Sequence, residues 1–162
     1  MKRLTIFAQL AILGTVATGA AHAVGPCSNA TLDGDYSFTI TGQILAPAKA
    51  AGPVAGVAKT HFDGNGNMLQ LDHVVHNGVA PIEMWRHGSG PYEVNDDCTG
   101  SMTINQEPTD PADASPSLKL YFLIAADGNE IRAVVSGSPT VPPFEAAITS
   151  IGTRIVVNTS WK

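Results

Sequence analysis

The side chains best suited to chemistry in this chain cluster around one turn. Asn77-Gly78 is the preferred pair for a two-residue type I′ hairpin. With that turn, His76 faces Val79, His73 faces Ile82, Leu71 faces Met84 and Leu69 faces Arg86. Alternation then puts Leu69, Leu71, His73, Val75, Ile82, Met84 and Arg86 on one face. That face is apolar except for His73 and Arg86, so it is expected to point inward. Gln70, Asp72, His76, Glu83, Trp85 and His87 fall on the opposite face, which suits solvent. Inside a small barrel, Arg86 would grip a carboxylate with its planar fork. His73 would donate a hydrogen bond or act as a general acid–base. Met84, Leu71 and Tyr36 would supply apolar wall. A plainer reading gives these residues no ligand: His73 bonds a backbone carbonyl in the core, and Arg86 sits at the rim with its head in water. A slip of one residue in the turn would exchange the two faces.

Other constellations are weaker. His61 and His76 fall together on the expected outer face with Asp72 between them, but His-x-His and metalloprotease spacings are missing, so scattered surface histidines are the expectation, with no metal or other cofactor. Asp63-Gly64-Asn65-Gly66-Asn67 begins like a calcium loop. Met68 stands where glycine is wanted and Val74 where the bidentate glutamate belongs, so a hairpin turn explains it better. The sequence has no Gly-x-Ser-x-Gly elbow, phosphate loop or dinucleotide fingerprint.

The elements that must position these residues read as strands. Gly and Pro recur throughout, at a cost to a helix interior of about 1 and about 3 kcal/mol relative to Ala. Short alternating runs separated by turn residues take the place of helices. Asp35 to Thr41 puts Tyr36, Phe38 and Ile40 on one face. Val54 to Phe62, Met68 to His76 and Val79 to His87 follow, with Phe62 on the inner face and His61 on the outer. Gly88 to Pro91 reads as a bulge or bend. Tyr92 to Val94, Thr99 to Asn105, Leu118 to Ala125, Glu130 to Ser136 and a closing run Ser150 to Ser160 complete the set. Gln106 to Ser117 and Ser138 to Pro143 read as loops. Phe144 to Ile151 is the one stretch with helical character, through Glu145, Ala146 and Ala147. The expectation is an all-β, single-domain antiparallel meander barrel of about eight strands, closed so as to leave no edge.

The first 23 residues read as an export signal: Lys2 and Arg3, an uncharged and mostly apolar run from Leu4 to Ala20, and the small-x-small site Ala21-His22-Ala23. The expected mature domain is 24–162, with no further membrane span and, since Val24-Gly25-Pro26 precedes the first cysteine, no lipid-attachment box. Loss of Lys2 and Arg3 from nine basic residues leaves seven against 14 acidic ones, a net charge of −7. A mildly acidic surface offers no footprint for nucleic acid or anionic membrane. The two cysteines of the chain, Cys27 and Cys98, are expected to pair in an oxidising compartment.

The run Cys27-Ser28-Asn29-Ala30-Thr31-Leu32-Asp33-Gly34-Asp35-Tyr36-Ser37-Phe38 is one of several with a shared character. Phe62-Asp63-Gly64-Asn65-Gly66, Asn77-Gly78, and Gly90-Pro91-Tyr92-Glu93-Val94-Asn95-Asp96-Asp97-Cys98-Thr99-Gly100 are the others. Together they resemble exported bacterial proteins, mostly of unknown function, with an allene oxide cyclase-like barrel of the dirigent and lipocalin type. The resemblance covers about the first two-thirds of the mature chain and implies a calycin-like barrel. Its motifs are turns, a cysteine pair and core aromatics, so it implies a fold more than an activity. No catalytic residue of the plant cyclases maps onto a matching position.

Three functions compete. The first is an exported barrel that binds a small apolar or amphipathic ligand in its lumen. The second is a cyclase or isomerase using His73 and Arg86, which requires both groups to converge in one pocket. The third is an envelope or extracellular interaction protein without a small-molecule site.

Overall fold

A computed structural model describes residues 25–107, 117–140 and 143–156 of the 162. The expected export signal, most of the Gln106–Ser117 loop, part of the Ser138–Pro143 loop and the last residues of the expected closing run lie outside the described residues.

Eight strands form a closed antiparallel barrel in chain order. They are β1 (Gly34–Ala46), β2 (Gly52–Phe62), β3 (Asn67–His76), β4 (Arg86–Val94), β5 (Thr99–Gln106), β6 (Ser117–Ala125), β7 (Glu130–Gly137) and β8 (Glu145–Arg154). β8 returns to β1, from Tyr36 opposite Arg154 to Ile44 opposite Ala146, so that no edge is left open. Among the described residues no helix is long and apolar enough to cross a membrane.

Side chains alternate inward and outward along each strand. On β1, Tyr36, Phe38 and Ile40 share the inner face, as their spacing predicts. Large rings fit because small residues stand opposite them. Phe38 faces Gly152 across β1–β8, and Phe122 faces Gly100 across β5–β6. A Cβ added at Gly152 would lie 2.5 Å from the Phe38 ring, and one at Gly100 2.3 Å from the Phe122 ring.

One end is plugged. Tyr36, Phe62 and Tyr92 meet edge to face, with centroids 5.5 Å and 4.9 Å apart. Such contacts add about 0.5–1.5 kcal/mol per pair beyond area burial. A 3₁₀ turn, Asn29–Leu32, drops the fully buried Leu32 into this end. The Cys27–Cys98 disulfide, with Cα atoms 5.0 Å apart, ties the entering segment to the β4–β5 turn. Asn29 helps hold it: its carbonyl accepts from the Tyr92 hydroxyl and its Oδ1 from the Val94 N–H. Arg154 stacks 4.8 Å from the Tyr36 ring centroid and donates to the carbonyls of Thr31, Asp33 and Gly128.

Two expectations are corrected. The Asn77-Gly78 turn forms, both residues having positive φ, and His76 pairs with Val79. The hairpin stops there. Pro81, which has no N–H to donate, lies in the segment 80–85 that leaves the sheet, and pairing resumes at Asp72 opposite Arg86 and Leu71 opposite His87. Leu71 therefore faces a residue three positions later than the uninterrupted hairpin predicts. Of the expected strand Val79 to His87 only Arg86 and His87 are strand, as the start of β4, and Gly88 to Pro91, expected as a bulge or bend, lies within β4. The odd offset reverses β3 relative to the expectation: Met68, Gln70, Asp72, Val74 and His76 face inward, while Leu69, Leu71, His73 and Val75 face outward. The second correction concerns the closing strand, which begins at Glu145 rather than Ser150. Pairing with β1 and β7 overrides the helix preference of Glu145, Ala146 and Ala147.

Candidate ligand site in the barrel lumen

The end opposite the plug is hollow. A cavity of about 250 Å³ lies between side chains from all eight strands, its apolar wall including Phe38, Ile40, Val54, Leu118, Val135 and Ile148. This exceeds the cavity of about 150 Å³ that holds benzene in a well-studied case. It falls just below the range of about 300–1,000 Å³ typical of drug-sized ligands.

One side of this wall is polar, and strand register explains its placement. Thr60 opposes Gln70 across β2–β3, and Asp72 opposes Arg86 at the end of the β3–β4 ladder. All four point inward. The Asp72 carboxylate, its side chain 4 % exposed, is the hub. Its Oδ1 accepts from Arg86 Nε at 2.9 Å and Nη2 at 2.8 Å. Its Oδ2 accepts from Gln70 Nε2 and Gln106 Nε2, each at 3.1 Å. Gln70 Oε1 in turn accepts from the Thr60 hydroxyl. Gln106 is on β5 and must reach across β4 to touch Asp72. It can do so because its β4 partner is Gly88, which has no side chain to stand between them. Every oxygen of the buried carboxylate is thus occupied, as burial of a charge demands.

His76, at the rim end of β3, completes the polar wall. Its backbone is held by the exchange with Val79. Its ring forms part of the cavity wall, and its Nε2 is buried with no hydrogen-bond partner among the described residues. Burying such a group without a partner costs about 1–3 kcal/mol, so a turn of the ring that brought this nitrogen to a polar atom in the cavity would recover that cost.

Of the five side chains that the sequence singles out for a ligand, one lines the cavity: Arg86. His73 is on the outer face, its Nδ1 2.6 Å from the Met84 carbonyl oxygen and its ring edge-on to Trp85. It bonds a backbone carbonyl, but outside the barrel rather than in the core. Leu71 is also on the outer face, and Met84 is 74 % exposed in the loop after the turn. Tyr36 is fully buried but at the plugged end, its hydroxyl donating to the Gly128 carbonyl. The proposed pairing of His73 with Arg86 as acid–base and anchor has no geometry, because the two lie on opposite faces. Arg86 itself is a lumen residue paired to Asp72, not a rim residue with its head in water.

Asp72, Gln70, His76 and Gln106 are the functional candidates that the sequence reading misses. The β2–β3 turn carried a signal for three of them. Phe62, the large aromatic before that turn, opposes Met68, which fixes the even-numbered residues of β3 as inward. His61 and His76 fall on opposite faces, and among the described residues no three His, Cys, Asp or Glu side chains group as for a metal ion. In the Asp63–Asn67 turn the Asp63 carboxylate accepts from the N–H groups of Asn65 and Asn67 and from Asn67 Nδ2, which makes it the staple of a hairpin.

No protein-family model, no curated protein and no solved structure matches this chain.

Proposed function

We propose that this chain is an exported β-barrel binding protein that holds a small apolar or amphipathic ligand in its lumen. The single observation that carries the proposal is the cavity: apolar on most of its wall, with a hydrogen-bonded polar cluster and an unpartnered His76 Nε2 on one side. Apolar walls with a few placed polar groups are the usual make-up of a small-molecule site. Export is supported by the three-part leader of residues 1–23 and by the Cys27–Cys98 disulfide, a bond favoured in oxidising compartments. Kinship with the allene oxide cyclase-like exported barrels belongs to the same proposal, and the closed eight-strand meander agrees with it. Native mass spectrometry of the protein purified from its own host, followed by solvent extraction, tests the binding function. A stoichiometric co-purifying molecule of a few hundred daltons is expected. Apo protein that also fails to take up any of a panel of small apolar probes would refute it.

A second reading, an envelope interaction protein, draws on the outer face of β6–β8. There Tyr121, Leu123, Val134 and Ile151 are each about half exposed and flank a shallow surface groove. Cross-linking in the exported fraction would distinguish it: the interaction reading expects a captured partner whose capture is lost in Leu123→Asp and Ile151→Asp.

A further inference from the structure

We infer that the lumen selects an uncharged hydrogen-bonding head group, such as an alcohol, ketone or amide, and discriminates against carboxylates. This rests on the reading of the lumen as a ligand site and specifies what that site takes.

Charge and hydrogen-bond balance in the polar cluster set this preference. Read alone, Arg86 suggests an anion site. In the fold its guanidinium lies 2.8 Å from Asp72, so the pair carries no net charge. Two of its nitrogens, Nε and Nη2, are committed to Asp72 Oδ1. An incoming carboxylate would meet a compensated cation and, beside it, a buried anion of its own sign. To take the Nε–Nη2 edge of the guanidinium it would have to strip Arg86 from Asp72, leaving a carboxylate that is almost wholly buried without its counter-charge; at Nη1 it would place a second anion on a cation that Asp72 already neutralises. Breaking a buried pair in this way is strongly unfavourable. Asp72 has no acceptor capacity to offer a ligand either, because Gln70 and Gln106 occupy its second oxygen.

What the cluster leaves for a ligand is neutral or shareable. His76 Nε2 is buried without a partner among the described residues, and a turn of its ring, which already forms part of the wall, would present it to the lumen. An imidazole nitrogen accepts from an alcohol O–H in one tautomer and donates to a carbonyl oxygen in the other. Arg86 Nη1, which makes neither of the bonds to Asp72, is a second donor for a carbonyl or hydroxyl oxygen. Both residues line the same cavity, with apolar wall beyond them. A ligand with an alkyl or cyclic body and one uncharged oxygen satisfies each of these groups without disturbing the ion pair.

The experiment is a titration of the full chain with 1-octanol, octanoate and octylamine at mildly alkaline pH, where octanoate is ionised. Binding is read by calorimetry and by the NMR signals of the histidine rings. Octanol is expected to bind at least about tenfold more tightly than octanoate and to shift the His76 resonances. Octanoate binding as tightly as octanol, or more so, would overturn the inference while leaving the lumen as a ligand site. Binding of none of the three would overturn the lumen reading itself. Asp72→Asn keeps the shape of the carboxylate and removes its charge, so it should turn the preference toward octanoate. His76→Phe, which keeps a ring in the same place and removes its nitrogens, should weaken octanol binding by about tenfold. Circular dichroism confirms that each variant is folded. The wild-type selectivity decides the matter should either variant fail to fold, and an unaltered preference in folded Asp72→Asn would count against the inference.

Discussion

The two ends of this barrel are built from the same strands and solve opposite problems. At the plugged end, Leu32, Tyr36, Phe62, Tyr92 and Ile131 fill the interior, and every polar atom of the plug described above has a protein partner. At the other end the same alternation leads to a mostly apolar wall, a buried Asp72–Arg86 pair and space. The connections differ in kind as well. Those at the plugged end carry Asp63, Asp96, Asp97 and Asp127, whereas the β3–β4 connection at the hollow end exposes Val79, Ile82 and Met84. Close packing is concentrated at one end and empty volume at the other, so the proposed binding site lies apart from the most densely filled part of the core.

The sharpest way to break this contrast is Phe62→Ala. Phe62 is fully buried between two tyrosines, and such a truncation costs about 3–5 kcal/mol. Urea unfolding should register that loss, with the affinity of the lumen for its ligand unchanged in the protein that remains folded. A small stability loss joined to a large affinity loss would show that the ends are not separable. Removing the disulfide with Cys27→Ser and Cys98→Ser opens a loop with a sequence separation of 71. The chain-entropy model puts the cost at about 4 kcal/mol, and reduction of the wild-type protein should lower its unfolding midpoint equally.

Gly100→Ala tests how far a change near the β4–β5 turn is felt, since its Cβ would press into the Phe122 ring. Overpacking of this kind costs about 1–3 kcal/mol. The displaced ring is expected to intrude on the cavity, so that thermal stability and ligand affinity fall together.

The smallest effects are those of pH, and they arise from the plugged end. Hydrogen bonds from Asn67, then from Asn65 and Gly66, hold the Asp63 carboxyl below its ordinary value of 3.8, and Thr99 does the same for Asp97. Their contribution is therefore fully present well above that value and is lost as pH falls below it through the lowered folded-state values. Burial, partly offset by the Arg154 guanidinium, pushes the Tyr36 hydroxyl up to about 12 from 10. The unfolded chain ionises first, so stability from Tyr36 is intact below pH 10 and drains away as pH rises toward 12. Unfolding midpoints measured across both ranges should decline at each extreme. In Asp63→Asn and Asp97→Asn together the acid decline should soften, and in Tyr36→Phe the alkaline one.

The plugged end was largely legible in the sequence and the hollow end was not, for a physical reason. Turn residues with positive φ, a cysteine pair and aromatics at alternate positions state their roles locally. Asp63–Asn67, Asn95–Asp97, Asp127–Asn129 and Cys27–Cys98 all form as their chemistry suggests. The lumen inverts the rule that apolar side chains point inward. Leu69 and Leu71 look like core and face out, the former half exposed, whereas Gln70 and Asp72 look like surface and are buried. A cavity lined by a polar cluster cannot be distinguished from solvent by hydrophobic pattern alone. The Asn77-Gly78 turn added to the difficulty, since a correct turn followed by Pro81 gives a register that holds for one pair and then fails. Pairing outward from Phe62 would have given the right face.

The clamp that Arg154 makes on the carbonyls of Thr31, Asp33 and Gly128 gathers the entering segment and the last strand at one pole. The described chain enters beside Cys27 and leaves after Arg154 on that side of the molecule. A tag or a solid support attached beside Gly25 or Val156 would therefore hold the barrel by its base, with the hollow end facing away.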